Sequence, residues 1–523
     1  MGEQPRGFWI AAEAEPERIA VIDPAGRAWT AGEVLAGANR LVHALRARGV
    51  GPGAPIATLL PNGVEMIETL MAVFQAGWNL VPLNNNLTAA EVGYILGDAG
   101  AEVLVAHERF ASVASAAAAE AGVPVEGRLA VGTIDGFASL GPVLAGHPAT
   151  TPPDRVAGQF MQYTSGTTGR PKAVQRELPS FDPETWVSLF SANLSRYEIE
   201  PGGDAVHLVT SPMYHMAPLS FGFFSAHFEH PLVLMDRWDA ARALELIAEH
   251  RVTDTHMVPT QLHRLLQLPD DVREAADVSS LRQVIHAAAP CPIELKRRLF
   301  DWLGPVIYEF YGATEGGGTI AKPADWLAHP GTVGSPWPGG DVKVLDDDGQ
   351  EVPPGTVGTV YLKVMGGDFR YKGDPDKTSA NRRGDYFTVG DMGELDADGF
   401  LYLRDRKIDM IISGGVNIYP AEVEGALVAH PAVGDVAVFG IPDDEWGEQV
   451  LAVVEPAPGH EPADDTGAAE LAADLIAHCR SVLAPYKCPR RVELTDALPR
   501  DPNGKLFKRR LRDPYWEGRD RRV

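Results

Sequence analysis

Twice within its first hundred residues the chain spells a hydroxyl followed three positions later by a carboxylate, and each time a helical run follows. Thr30-Ala31-Gly32-Glu33 and Thr88-Ala89-Ala90-Glu91 carry this pattern, in which the two side chains satisfy backbone N–H groups left open at a helix start. After the first, Val34, Leu35, Ala38, Leu41, Val42 and Leu45 recur at helical spacing. PIATLL (55–60) reads as a buried strand, Asn62 as the cap of a second helix through Gln75, and EVLVA (102–106) as the next strand. Short apolar strands alternating with helices dictate a parallel or mixed α/β sheet.

The tail has a different grammar. Pro420 suits the first position of a helix over AEVEGALVAH. Two strand-like runs follow, VGDVAVFGI (433–441) and QVLAVVEP (449–456), then a polar loop over roughly 456–467. Leu471, Leu475, Ile476, Cys479, Val482 and Leu483 mark one face of an amphipathic helix. A chain of 523 residues is too long for one simple core. The expected division is a large α/β domain over 1–406 and a small α+β domain over 407–523, with the boundary in LRDRKIDMI (403–411).

Charge removes several classes of partner. With 46 basic and 71 acidic residues the net charge is -25, so neither nucleic acid nor an anionic membrane finds the basic footprint it needs. Residues 500–523 run the other way, with a local net of +5, from nine Lys/Arg and four Asp/Glu. They read either as an attractant for nucleotide phosphates or as a solvated basic tail. The three cysteines, Cys291, Cys479 and Cys488, form no C-x-x-C pair, and a reducing cytoplasm fits. Acids at Glu3, Glu13, Glu15 and Glu17 break up any signal-peptide core. Arg6 stands where a myristoylation signal needs Ser or Thr. The most apolar region, 207–228, is interrupted by His215, Pro218 and several Ser, so it reads as a buried wall rather than a membrane span.

Four stretches concentrate chemistry. In YTSGTTGRPKAV (163–174), glycines let backbone N–H groups approach an anion, hydroxyls add donors, and Lys172 adds charge. The Walker spacing is absent, and a plain Ser/Thr/Gly surface loop is the other reading. In YEFYGATEGGG (308–318), Glu315 can reach a magnesium ion held by phosphates, or be a turn glutamate in water. In GDMGELDADGFLYLRDR (390–406), Asp391 and Arg406 can bond ribose hydroxyls; equally, DADG is the turn of a hairpin and both are surface charges. In LPRDPNGKLFKRR (498–510), Asn503-Gly504 signals a hairpin turn with Lys505 at its tip. No G-x-S-x-G or H-E-x-x-H occurs, and His227 and His230 read as structural.

Together, in this order, these motifs resemble the adenylate-forming superfamily of acyl-CoA synthetases, peptide-synthetase adenylation domains and luciferases, over nearly the whole chain. SGGVNIYPAEVE (413–424) is similar to the bacterial fatty-acyl-CoA synthetase, or acyl-CoA ligase, branch, which includes relatives taking bulky cyclic acids. The resemblance implies that Thr164, Ser165, Gly166, Thr167, Thr168 and Gly169 hold the ATP β- and γ-phosphates, with Lys172 in support. Thr164 and Glu315 would bind Mg²⁺. Ala288, Ala289 and Pro290 with Glu309, Phe310 and Tyr311 would form the adenine slot, with Gly312 and Thr314 on the same nucleotide site. Asp391 and Arg406 would hold the ribose, and Ser413, Gly414 and Gly415 would line the pantetheine path of CoA. His215, in SPMYHMAP, would stand beside the acyl pocket, where a structural role is the alternative.

The implied reaction joins two anions: a carboxylate attacks the α-phosphate of ATP, pyrophosphate leaves, and the acyl group passes to CoA with release of AMP. The substrate is its own nucleophile, so positioning and charge stabilisation carry the catalysis. Lys505 is the expected cation between carboxylate and phosphate, on a small domain that rotates away before the thiol attacks. The pattern departs at the pivot, where Ile408 stands in place of Asp or Lys, and at Ala173, which replaces a glycine. Met216 to Phe228 would wall the acyl site, with small Ala287 to Ala289 and Gly316 to Gly318 leaving room, which favours an apolar fatty or ring acid. A carrier-loading enzyme and a silent acyl- or nucleotide-binding protein are the rivals. The chain ends 18 residues after Lys505, so no fused carrier is expected, and retention of Lys505, Glu315, Asp391 and Arg406 argues against silence. A homodimer is compatible with all of this.

Overall fold

The computed structural model describes residues 7–164, 171–365, 368–500 and 506–518. They form two compact units: Met1–Met257, Leu268–Ile285 and Met365–Ala380 in the first; Val258–Gln267, His286–Val364 and Asn381–Val523 in the second.

Within the first unit both capping boxes form as the sequence requires. Thr30 and Glu33 exchange bonds at the start of the helix Ala31–Arg46, and Thr88 and Glu91 do so for Ala89–Ala99. A six-stranded sheet has the order Ala138–Ser139, Arg128–Val131, Val103–His107, Pro55–Leu59, Asn79–Pro82, Gln159–Phe160, and every pair is parallel. Its core packs Val92, Ile95 and Leu96 of one helix and Ala114, Ala117 and Ala118 of the next on Leu59, Val81, Leu104 and Ala106. Each valine, leucine or isoleucine so buried stabilises the fold by about 1.5–3 kcal/mol relative to exposure. A second group of parallel strands, Ile19–Ile22, Leu232–Leu234, His207–Val209 and Asp254–Met257, lies in the same unit. Lys172–Gln175 pairs antiparallel with Gln162–Thr164 on one side and Arg370–Tyr371 on the other.

Asn62 is not a helix cap. The helix Val64–Ala76 starts from Gly63 with no side-chain cap. Asn62 is buried and donates to the Ser211 and Met235 carbonyls at 3.0 and 2.9 Å, while accepting the Met213 N–H at 2.8 Å. A buried amide takes partners that satisfy all its groups, and those partners are 149 to 173 residues away.

In the second unit, Asp391–Leu395 and Leu401–Arg406 form the expected hairpin, closed where the Gly399 N–H meets the Asp396 carbonyl. Pro420 opens the helix Pro420–Val428. Val433–Asp443 and Gly447–Pro456 make a long antiparallel pair, and Arg491–Leu494 adds in parallel. The next helix is Asp465–Val482, so it begins inside the segment expected to be loop, capped by Asp464. Leu475 and Cys479 are buried and Leu471 and Leu483 pack on them, but Val482 is 59% exposed, on the side of the helix turned to water. Arg500 and Leu506 bridge antiparallel and the Phe507 N–H reaches the Pro499 carbonyl at 2.8 Å, while the turn expected at DPNGK (501–505) lies outside the described residues.

Candidate active site

The loop expected to hold phosphates runs between two strand ends. Lys172 is register partner of Thr164, so the strands close on that segment. Ser165, Gly166, Thr167, Thr168, Gly169 and Lys505 lie outside the described residues. The residues flanking the loop in the chain are braced: Tyr94 donates to the Pro171 carbonyl at 3.3 Å and Tyr163 to Asp98 at 2.5 Å. Burial pushes the Tyr163 phenol up, and Asp98 adds to the push. Ala173 is fully buried in the sheet core, where its methyl has packing partners. The Lys172 ammonium pairs with Asp374, which motif reading had not singled out.

His215 stands on a loop pinned from three sides. Asn62 holds Ser211 and Met213, Gln162 donates to the Tyr214 carbonyl at 2.9 Å, and Asn86 donates to the Tyr214 hydroxyl at 3.0 Å. The His215 ring lies 4.3 Å from that of Tyr214, just ahead of the helix Met216–His227. That helix is buried nearly all round, in keeping with the buried wall expected of this apolar run. Phe223 packs on Phe74 at 4.4 Å, and Phe221 stacks on His256 at 5.2 Å. His227 and His230 are core residues: His227 accepts the Phe8 N–H at 3.0 Å, and His230 meets the Glu200 carbonyl at 2.9 Å. Burial pushes His227 down to about 3.

The second unit assembles the nucleoside-binding candidates. Tyr311, next to last in the strand Ile307–Gly312, donates to Asp391 at 2.7 Å. Asp391 sits opposite Arg406 in the hairpin, with Nε 3.3 Å from its carboxylate. Three residues separated by up to 95 positions (406 minus 311) thus meet in one cluster, with Arg406 its exposed member. Burial, then the Asp391 charge, pushes the Tyr311 phenol well above its ordinary value. Glu315 is buried in the turn that follows Tyr311.

Other candidates have structural partners of their own. Glu309 meets Lys296 at 2.7 Å, with their side chains 8% and 0% exposed, and the ammonium lies 4.9 Å from the Trp326 ring centre. Ala288 has φ +74, a left-handed conformation costing a non-glycine residue about 1–2 kcal/mol. A Cβ on Gly318 would fall 2.3 Å from the Tyr311 carbonyl and 2.7 Å from Trp337, so this glycine serves close strand packing. Gly414 and Gly415, at φ 58 and 79, form the two-residue turn between Ile411–Ser413 and Val416–Ile418, where both central residues need positive φ. Beside the segment carrying Lys505, Arg500 grips Asp435 through two bonds of 2.5 and 2.7 Å.

Comparison with known proteins shows which family the chain belongs to. The family model described as AMP-binding enzyme matches residues 8–366, and that of the AMP-binding enzyme C-terminal domain matches 422–505. The chain is 35% identical to a fatty acid–[acyl-carrier-protein] ligase of Streptomyces coeruleorubidus, covering 98% of this chain and 96% of the relative. It is 34% identical to a long-chain-fatty-acid–CoA ligase of Mycobacterium tuberculosis, covering 96% and 97%. Among solved structures, o-succinylbenzoate CoA synthetase from Bacillus subtilis with its acyl-adenylate intermediate superposes with TM-score 0.79 at 28% identity, over 98% of both chains. The chain therefore belongs to the AMP-binding enzyme family of the adenylate-forming superfamily.

Proposed function

We propose that this protein is an AMP-forming acid–thiol ligase. It adenylates an apolar carboxylic acid with ATP, releasing pyrophosphate, then passes the acyl group to CoA and releases AMP. The observation that carries the reading is the meeting of Tyr311, Asp391 and Arg406. A carboxylate and a guanidinium on neighbouring strands can bracket ribose hydroxyls, beside an aromatic ring able to pack on a base.

Roles follow by chemistry. Lys172 and the segment 165–169 take the β- and γ-phosphates. Ala288, Ala289 and Pro290 with Phe310 and Tyr311 take adenine, while Glu309 contributes through its backbone because its carboxylate belongs to Lys296. The buried Glu315 carboxylate is a hard oxygen donor suited to Mg²⁺, with the Thr164 hydroxyl as the second proposed ligand. Mg²⁺ held there would offset charge developing on the departing pyrophosphate. Lys505 neutralises the attacking carboxylate and α-phosphate. The proposed domains are 1–406 and 407–523, with Ile408 in the pivot. Three free cysteines, and no helix among the described residues long and apolar enough to cross a membrane, suit a cytoplasmic location.

The acceptor has a second reading, since one relative is named as an acyl-carrier-protein ligase. A panel of fatty and ring acids assayed for pyrophosphate release, with and without CoA, tests both. Acid-dependent release followed by thioester formation with free CoA is expected. Adenylate that reacts only with a phosphopantetheinyl carrier would establish the second reading, and no release with any acid would overturn both.

A further inference from the structure

Lysine is a flexible point charge, and ordering its stem costs up to about 2 kcal/mol of rotamer entropy. A lysine that must meet phosphate gains from being ordered beforehand. The surroundings of Lys172 supply such ordering. Tyr371 and Arg370 pair with Val174 and Gln175, and the Lys372 N–H meets the Ala173 carbonyl at 3.0 Å. The turn that follows is fixed by the Asp374 N–H on the Tyr371 carbonyl at 3.1 Å and by Thr378, which donates to the Asp374 carbonyl at 2.9 Å. On that turn one Asp374 oxygen accepts the Lys377 N–H at 2.9 Å, which sets the carboxylate's orientation, and the other receives the Lys172 ammonium. The pair is about one fifth exposed, with side chains at 23% and 22%, so an anion can reach the lysine.

We infer that Asp374 is a positioning residue for Lys172: it holds the ammonium in place until the nucleotide's phosphates take it over. The inference rests on the functional reading above. Ion pairs in contact with water add little to stability, so the benefit lies in preorganisation and not in holding the fold.

ATP binding to the full chain by calorimetry, and the ATP dependence of pyrophosphate release, test this with four proteins: wild type, Asp374→Asn, Lys172→Ala and the double variant. Asparagine retains an oxygen for the Lys377 N–H, so the turn survives while the charge is lost. Asp374→Asn should raise Kd and KM for ATP about five- to tenfold with a smaller change in kcat and an unchanged melting temperature. Added to Lys172→Ala, it should change nothing further. An unchanged or lowered KM in Asp374→Asn, or an equal further loss in the Lys172→Ala background, overturns the inference. Asp374→Ser, whose hydroxyl also satisfies a helix start, must give the same pattern should the asparagine variant fold poorly. Wild type that binds no ATP would instead remove the functional reading, and this inference with it.

Discussion

Two lysine–carboxylate pairs in this chain have the same chemistry and opposite surroundings. Lys296 and Glu309 meet at 2.7 Å with side chains 0% and 8% exposed, while the Lys172–Asp374 pair has both side chains above 20%. The first pair is dry. Taking its lysine away would leave a buried charge alone, which costs several kcal/mol. The second touches water, so another anion can replace the carboxylate at small cost. Burial thus separates a charge fixed in the scaffold from one that can change partners.

Lys505 extends the comparison and should show the largest effect. Lys505→Ala is expected to lower adenylation by about 10²–10³, the scale for removing one electrostatic stabiliser, while a supplied acyl-adenylate still forms thioester. Half-reactions measured separately would show it; equal loss of both would remove the role given to this lysine. Next comes the dry pair. Lys296→Met should destabilise the protein by about 3–5 kcal/mol in denaturant titration, and Lys296→Met with Glu309→Leu should recover most of that loss. A single variant as stable as wild type would erase the contrast drawn above.

The smallest expected effect concerns a carboxyl packed against a helix rather than a lysine. A Cβ on Gly37 would fall 1.9 Å from a Glu68 carboxylate oxygen, and burial, then Glu65, pushes the Glu68 carboxyl up to about 8. Protonated when folded but ionised above about 4.5 when unfolded, it must take up a proton on folding between those values. Its stabilising contribution is full below that range and is lost as pH rises through about 8. Glu68→Gln should flatten this slope and raise stability near pH 8 by about 1–3 kcal/mol, read from melts across pH. An unchanged slope would mean that water solvates Glu68.

Much of the fold was legible because its signals are local. The capping boxes at Thr30 and Thr88, Pro420 at a helix start and the DADG turn each depend on neighbours within a few residues. Asn62 misled for the same reason: its position before a helix suggested a cap, whereas burial gave it to Ser211, Met213 and Met235. Val482 misled too, since at the helix end Leu483 and not Val482 packs on the core. Among the candidate site residues, Asp391 and Arg406 are both hairpin charges and members of a cluster, since facing each other across strands brings Asp391 to Tyr311 and leaves Arg406 exposed.

The sequence by itself determined the α/β alternation, the tail's α+β character and the motifs that mark the family, because periodicity, capping and turn conformation are properties of short segments. Tertiary structure alone decided which charges face each other. Asp374 lies 202 residues from Lys172, and Tyr311 lies 80 from Asp391. Coulomb energy depends on separation and on the surrounding dielectric. Neither exists until the chain has packed, so only the folded molecule distinguishes the lysine whose pair touches water from the lysine whose pair is buried.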